Sequence, residues 1–421
     1  MRNSLRSGDR LVAVKGYVAW FLTDTSFTAA ISINGFALPI IVLLVVGSAS
    51  AAGLVSAVGT VTAGTSSIFG GWLQDAINKR TLVIWSAVVG AALFLTGAAL
   101  IATGSFNLFS AIVLAFLLGL RSGLAGTTTN VMLRSFIPTK LLPKAISVGQ
   151  ARDSVIEFAG APVGGFLLEI GNAFPYVVNV ILNCIAAVSA AFLPKNIFEP
   201  VQEAGASSNK KLSLGNLTKG FHILKKSRLL RVSATSGNFA FAVFNAALLI
   251  TTMHIVSIEG NAITAGFLNT SVAVGVFVGA IVAPKLISRV KGGILILLAY
   301  LLPLSTLVLL LLVESTYLRI AVLAPSMVLL PAGSAVMGSV QMLSVPKNAL
   351  GRFFAAVGVV ELFLTTITTL SATVIYEQFG FEFAISVCIG AVTVCVLHLV
   401  ATREIRQIPT SESYEDFFSS N

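Results

Sequence analysis

KNIFEPVQEAGASSNKKLSLGNLTKGFHILKKSR, residues 195–228, is the only long polar break in a chain of 421 residues that is 56% hydrophobic and 10% charged. Soluble domains carry roughly 25% charged residues. A chain this poor in charge cannot cover a water-facing surface and must be solvated by lipid. A spanning helix needs roughly 20 mainly apolar residues. Six such stretches precede the break, at about 14–38, 50–74, 80–103, 106–133, 143–169 and 174–194, and six follow it, at about 229–256, 262–288, 292–313, 318–344, 349–376 and 381–402. The sequence therefore predicts an all-α polytopic membrane protein of twelve transmembrane helices in two six-helix bundles. Its parts are 1–194, a linker over 195–228, 229–402 and a tail over 403–421. Within the linker, Leu214, Leu217, Phe221 and Leu224 recur at helical spacing with lysines between them. That pattern predicts an amphipathic helix on the membrane surface.

Charge placement orients the chain. Of the 27 Lys and Arg residues, 24 fall at the N-terminus, in the linker and its edges, in alternate loops and in the tail. Of the remaining three, Arg319 lies in an opposite loop, and Arg121 and Arg152 fall inside spans. The opposite loops carry Glu169, Glu259, Glu314, Glu377 and Glu382. Basic loops stay in the cytoplasm, so both termini and the linker are expected there. The opening MRNSLRSGDRL leads into a long apolar span without a small-residue cleavage site and reads as a cytoplasmic tail. Net charge is +10, but its sorting by loop points to membrane topology and not to nucleic acid. The three cysteines, Cys184, Cys388 and Cys395, all lie in apolar runs, and no Cys/His pair has metal-site spacing. No Walker loop, H-E-x-x-H or G-x-S-x-G occurs, so neither an ATP-driven pump nor a hydrolase has support.

The loop after the second span reads GGWLQDAINKRTLVIW, residues 70–85. Gly71, Leu73, Asp75, Lys79, Arg80 and Leu82 stand at the spacing of the cytoplasmic loop motif of the major facilitator superfamily, which the chain resembles here. Ala76 and Asn78 depart from that motif, where a basic residue and a glycine are usual. The resemblance implies that Asp75 meets the positive end of a neighbouring helix and latches one state of the transport cycle. Lys79 and Arg80 serve equally well as positive-inside anchors. A worn second copy, with Gly279, Arg289 and Lys291, occupies 279–293 and fits internal duplication. In the fifth span, Gly160, Pro162, Gly164 and Gly165 form a G-x-P-x-G-G step similar to that of the family's exporters. Glycine permits close helix packing and proline bends the helix, which suits a moving interface; tight static packing uses the same residues. SFIPTKLLPKAISVGQ (135–150) and NALGRFFAAVG (348–358) resemble the enterobactin-exporter and macrolide-efflux branch. AGFLNTSVAVGVFVGA (265–280) is similar to bacterial lysophospholipid transporters.

Six ionisable residues fall within spans: Asp24, Arg121, Arg152, Asp153, Glu157 and Glu361. An ionised group at the bilayer centre costs about 2.5–3.5 kcal/mol, so these residues should face the interior and pair. Asp153 and Glu157 share a helix face, and Arg152 points about 100° away from Asp153. At 1.5 Å per residue, Arg152 lies about 14 Å into the fifth span and Glu157 about 21 Å. Arg121 is expected level with Glu157 and paired with it or with Asp24. Glu361 lies about 20 Å into the eleventh span with no basic residue of its own half nearby, a proton carrier or a recogniser of a cationic cargo.

The resemblance implies alternating access around a central cavity. Charge within the spans makes Asp24, Arg121, Glu157 and Glu361 the expected substrate and proton-coupling residues. Asn245, Gln341, Phe27 and Asn34 are expected to line the cavity. Asp75, Lys79, Arg80, Arg152, Asp153 and the 160–165 step are expected to gate it. The expected activity is secondary transport and not enzymatic: proton-coupled efflux of a small amphipathic compound by a monomer in a bacterial inner membrane, with sodium as the other candidate ion and with no cofactor, metal or nucleic acid. Two alternatives stand beside it, a lysophospholipid flippase and a non-transporting receptor or scaffold on the same fold.

Overall fold

The computed structural model describes residues 11–138, 141–194, 221–225, 227–346 and 349–410. Most of the linker, including most of its expected amphipathic helix, lies outside the described residues. The helical turn at 221–225 is described, and there Leu224 is buried among Leu230, Val345 and Phe353.

The first half contains α1 (Tyr17–Val46), α2 (Ala49–Ala76), α3 (Lys79–Ala102), α4 (Leu108–Ala125), α5 (Thr128–Phe136), α6 (Leu142–Ile170) and α7 (Phe174–Ala191). The second half begins with α8 (Arg228–Val232), a π-helical segment Ser233–Gly237 and α9 (Asn238–Glu259). It continues with α10 (Ala262–Arg289), α11 (Gly292–Leu312), α12 (Thr316–Ser326), α13 (Leu330–Ser344), α14 (Leu350–Phe379), α15 (Phe381–Ala401) and the short α16 (Arg403–Arg406). Eleven spans among the described residues are long and apolar enough to cross a membrane. The twelfth expected span is α6. It has 29 residues, ample length, but Lys144, Arg152, Asp153, Glu157 and Glu169 make it the most polar of the set.

Local chemistry sets the helix ends. The Ser48 side chain accepts from Ala51 N–H at the start of α2, and Asn78 accepts from Arg80 N–H at the start of α3. Asn107 and Ser110 close a reciprocal capping box on α4. Gly47 and Gly260 end α1 and α9 in the left-handed region, at φ 77° and 65°, where a side chain would be strained. The fourth and tenth spans are each interrupted. The fourth breaks between α4 and α5 at Gly126–Thr127, and the tenth breaks between α12 and α13 just after Pro325. The two interruptions fall in corresponding spans of the two halves, at different depths; interrupted spans in corresponding positions mark binding regions in duplicated transporters.

The chain forms two compact units. One comprises 1–205 with Asn261–Gly266, and the other 206–260 with 267–421. In the first, α1 packs on α6 and α7, α3 on α7, and α2 on α4. In the second, α9 packs on α14 and α15, and α11 on α13 and α15. The pairing of the first span with the fifth and sixth thus repeats as the seventh with the eleventh and twelfth. Glycine repeats with it. Gly119 lets α4 approach the Gly59 carbonyl, and Gly275 lets α10 approach the Ala324 carbonyl. Large apolar side chains such as Phe109, Phe192 and Leu312 stand exposed on the outside, as lipid solvation requires.

Candidate functional site

Three of the charges in the first unit come together. Arg152 on α6 donates through Nη2 to Asp24 Oδ2 on α1, at 2.5 Å, and to Asp153 Oδ1, at 2.7 Å. Its Nε also reaches Asp153 Oδ1, at 3.0 Å. Arg152 and Asp153 are neighbours in sequence and leave the helix in different directions, yet they pair. The four-bond arginine stem bends round to make the contact. The side chains of Asp24 and Arg152 are nearly buried, at 10% and 9% exposure, whereas Asp153 is half-exposed at 48%. Phe21 and Trp20 place ring centroids 5.2 Å and 5.9 Å from the guanidinium carbon, a cation–π box that compensates for lost hydration. The Trp20 indole N–H donates to the Thr129 carbonyl at 2.8 Å. One tryptophan therefore ties the ion cluster to the start of α5, just after the break in the fourth span. The cluster holds two carboxylates against one guanidinium, so one negative charge is in excess.

Arg121 does not join them. Its Nε donates to the Ser86 carbonyl, at 2.7 Å, and to the Ser86 hydroxyl, at 3.2 Å; its Nη2 donates to Asn183 Oδ1, at 2.8 Å. The Phe27 ring lies 5.3 Å from the guanidinium carbon. The expected pairing with Glu157 or Asp24 is absent. Asp24 is committed to Arg152, and Arg121 turns into a slot between α3 and α7 that exists because Gly90 has no side chain. A Cβ at Gly90 would overlap both the guanidinium and Asn183 Oδ1. Arg121 also lines a cavity of about 310 Å³ between α1, α2 and α4, together with Asn34, Gly35, Thr60 and Ser122. The Oδ1 of Asn34 is buried there without a hydrogen-bond partner among the described residues.

The other expected site residues are dispersed. Glu157 and Glu361 are exposed on α6 and α14 and form no ion pair among the described residues. Asn245 turns its amide to its own helix, donating to Phe241 O. Gln341 Nε2 donates to Ser233 Oγ in the π segment, at 3.3 Å, and the adjacent Ser236 Oγ lies 2.8 Å from His398 Nδ1. Phe27 and Asn34 stand beside Arg121 and in its cavity, as given above. Arg80 donates to the Ala190 and Ala191 carbonyls at the end of α7, where a cation meets the negative helix end. Lys79 opens α3, and the Asp75 side chain lies outside the described ones. Gly160 and Gly164 abut Ser32 and Phe36 of α1, and Gly165 abuts the Ala262 carbonyl within the same unit. Glu169 accepts from Ala262 N–H at 2.8 Å. Pro162 packs against Gly266. Three residues were not anticipated from sequence: Trp20, Ser86 and Asn183. A tryptophan N–H within a span needs an acceptor, which was the available signal for Trp20. Ser86 and Asn183 carry no pattern of their own.

The family model described as Major Facilitator Superfamily matches residues 20–360. No curated protein matches the chain in sequence. Among solved structures, a mutant of the nucleoside transporter NupG is similar at TM-score 0.74 and 10% identity, over 91% of this chain and 98% of that one. A bacterial homologue of the iron transporter ferroportin, in an inward-facing state, is similar at TM-score 0.69 and 14% identity, over 93% and 97%. A bacterial metal transporter is similar at TM-score 0.62 and 14% identity, over 91% and 97%.

Proposed function

The chain belongs to the major facilitator superfamily and is a multi-pass membrane transporter, and from that premise we propose that it exports a small amphipathic compound in exchange for protons. The observation that carries this reading is the Asp24–Arg152–Asp153 cluster. It links two helices that pack directly on each other, α1 and α6. Asp24 is buried and Asp153 is half-exposed, and both compete for one guanidinium. If Arg152 swings to Asp153 alone, Asp24 becomes an uncompensated charge among apolar helices, a costly state that a proton relieves. If Arg152 returns, the proton leaves. The salt bridge and the proton are therefore alternatives at Asp24, which is what coupling requires. Glu157, further along α6, and Glu361, on α14, are the next proton stations in this reading. The glycine step at 160–165 lets α6 move against α1 without large side chains in the way.

The placement of 24 of 27 basic residues supports cytoplasmic termini in a bacterial inner membrane. The structural neighbours carry nucleosides and metals by their descriptions, so the fold does not choose the cargo. Efflux rests on the resemblance of the 160–165 step and of 135–150 to exporters. The test is reconstitution into vesicles with a trapped pH-sensitive dye. A panel of drugs, siderophores and lysolipids should contain compounds that drive proton movement, and Glu361→Gln should abolish it. If no compound moves under any gradient, the transport reading of this site fails and a scaffold role replaces it.

A further inference from the structure

We propose that the cavity between α1, α2 and α4 binds an amphiphile with a carboxylate or phosphate head, and that Arg121 is its counter-charge. This rests on the transport reading above and narrows its cargo to an anion. The first observation is an unbalanced charge. Every hydrogen-bond partner of Arg121 is neutral: the Ser86 carbonyl and hydroxyl, and the Asn183 amide oxygen. Among the described residues, no carboxylate lies in ion-pair range of Arg121, and Asp24 is taken by Arg152. A fixed cation within a span is costly unless it is paired, and the described residues supply a carbonyl, a hydroxyl and an amide oxygen but no counter-charge.

The second observation is orientation. Bonds from Nε and Nη2 and the Phe27 ring fix the guanidinium plane before any ligand arrives, so little freedom is lost on binding. Nη1 lies against Gly90 and makes no hydrogen bond among the described residues, so its two N–H donors are spare. A planar guanidinium with spare donors suits carboxylate and phosphate oxygens better than any neutral group. The third is the cavity itself. Its volume, about 310 Å³, falls near the lower end of the roughly 300–1,000 Å³ of small-molecule sites. Ala30, Leu38, Val55 and Leu118 give it apolar walls, which suit a short hydrocarbon body. Asn34 Oδ1, buried and unpartnered on the same wall, offers a second polar contact, and amide rotation lets it meet either a donor or an acceptor. A cationic amphiphile would place like charges together and is excluded.

Binding to the purified full-length protein in lipid nanodiscs, corrected against empty discs, tests this without any gradient. The probes share a ten-carbon chain: decanoate, decyl phosphate, decanol and decyltrimethylammonium. Decanoate and decyl phosphate should bind at least tenfold more tightly than decanol, and the ammonium compound should not bind. Arg121→Gln should bring decanoate down to decanol, and Arg121→Lys should restore part of the preference. Gly35→Leu is the second variant. Gly35 lines the cavity, and a Cβ there meets nothing within 4 Å. The leucine should fill the space, weaken decanoate at least tenfold and leave thermal unfolding at the wild-type temperature. A decanoyl lysophosphatidic acid separates the two sources of such a head: tighter binding than decyl phosphate marks a lipid cargo, weaker binding a soluble acid, and both keep the assignment. Equal affinity for decanoate and decanol overturns it, as does unchanged decanoate affinity in Gly35→Leu. A protein that binds decanoate but moves no protons keeps this site and loses the coupling reading. One that moves protons with no head-group preference loses this site alone.

Discussion

In the first half, α1 meets α6 through Asp24 and Arg152, a nearly buried ion pair with aromatic faces over it. In the second half, the seventh span enters through the π segment, and its contacts to the tenth and twelfth spans are Ser233 with Gln341 and Ser236 with His398. The counterpart of α1 on α6 is α9 on α14, and the side-chain bonds of the seventh span run to other helices. Fixed charge is held in the first half, and hydroxyl contacts and a distorted helix in the second. A duplicated fold constrains packing, because apolar faces and glycine contacts must repeat. It leaves each half free to place its ionisable groups. The one acid deep in a second-half span, Glu361, is exposed and forms no ion pair among the described residues, whereas Asp24 is held by Arg152.

Substitutions in each half can break or sharpen this contrast. The largest effect is expected from Arg152→Gln. It strips a buried carboxylate of its counter-charge, a loss of roughly 3–5 kcal/mol, and thermal unfolding of the purified protein should show it as a marked fall in midpoint. Next is Gly90→Ala. The added Cβ would overlap the Arg121 guanidinium and Asn183, an overpacking cost of about 1–3 kcal/mol, and should also erase preferential decanoate binding. Asn78→Ala removes the cap of α3 and should cost about 1 kcal/mol, read in the same unfolding assay. The smallest effect on transport is expected in the second half. Ser236→Ala removes one hydrogen bond to His398, about 0.5–1.5 kcal/mol, and should leave proton flux intact. A Ser236→Ala variant as damaged as Arg152→Gln would erase the contrast.

The span count was legible because a membrane helix announces itself by length and hydropathy. The α6 helix was legible too, as a long helical stretch, although its charges make it the least apolar of the set. The breaks in the fourth and tenth spans were not. Gly126 and Pro325 are ordinary residues for membrane helices, and whether they interrupt one depends on the neighbours. At the site, sequence identified the charged residues within spans but misassigned the partners of Arg121 and Asp24. Axial depth follows from residue number at 1.5 Å per residue, and it placed Arg121 level with Glu157. Pairing depends on rotation and on which neighbour lacks a side chain. Gly90 and Asn183, one on α3 and one on α7, decide where Arg121 goes, and neither stands out in the sequence. The reach of an arginine stem also let Arg152 contact its own sequence neighbour and α1 at once.

The coupling role of Asp24 and Arg152 is tested most directly by proton flux in vesicles holding Asp24→Asn, Arg152→Gln and the double variant. If the pair only holds α1 to α6, removing both charges relieves the unpaired partner, and transport should return with stability. If Asp24 carries the proton, the double variant should regain the unfolding midpoint lost by Arg152→Gln and still show no cargo-driven proton flux. Wild-type flux in the double variant would contradict the assignment.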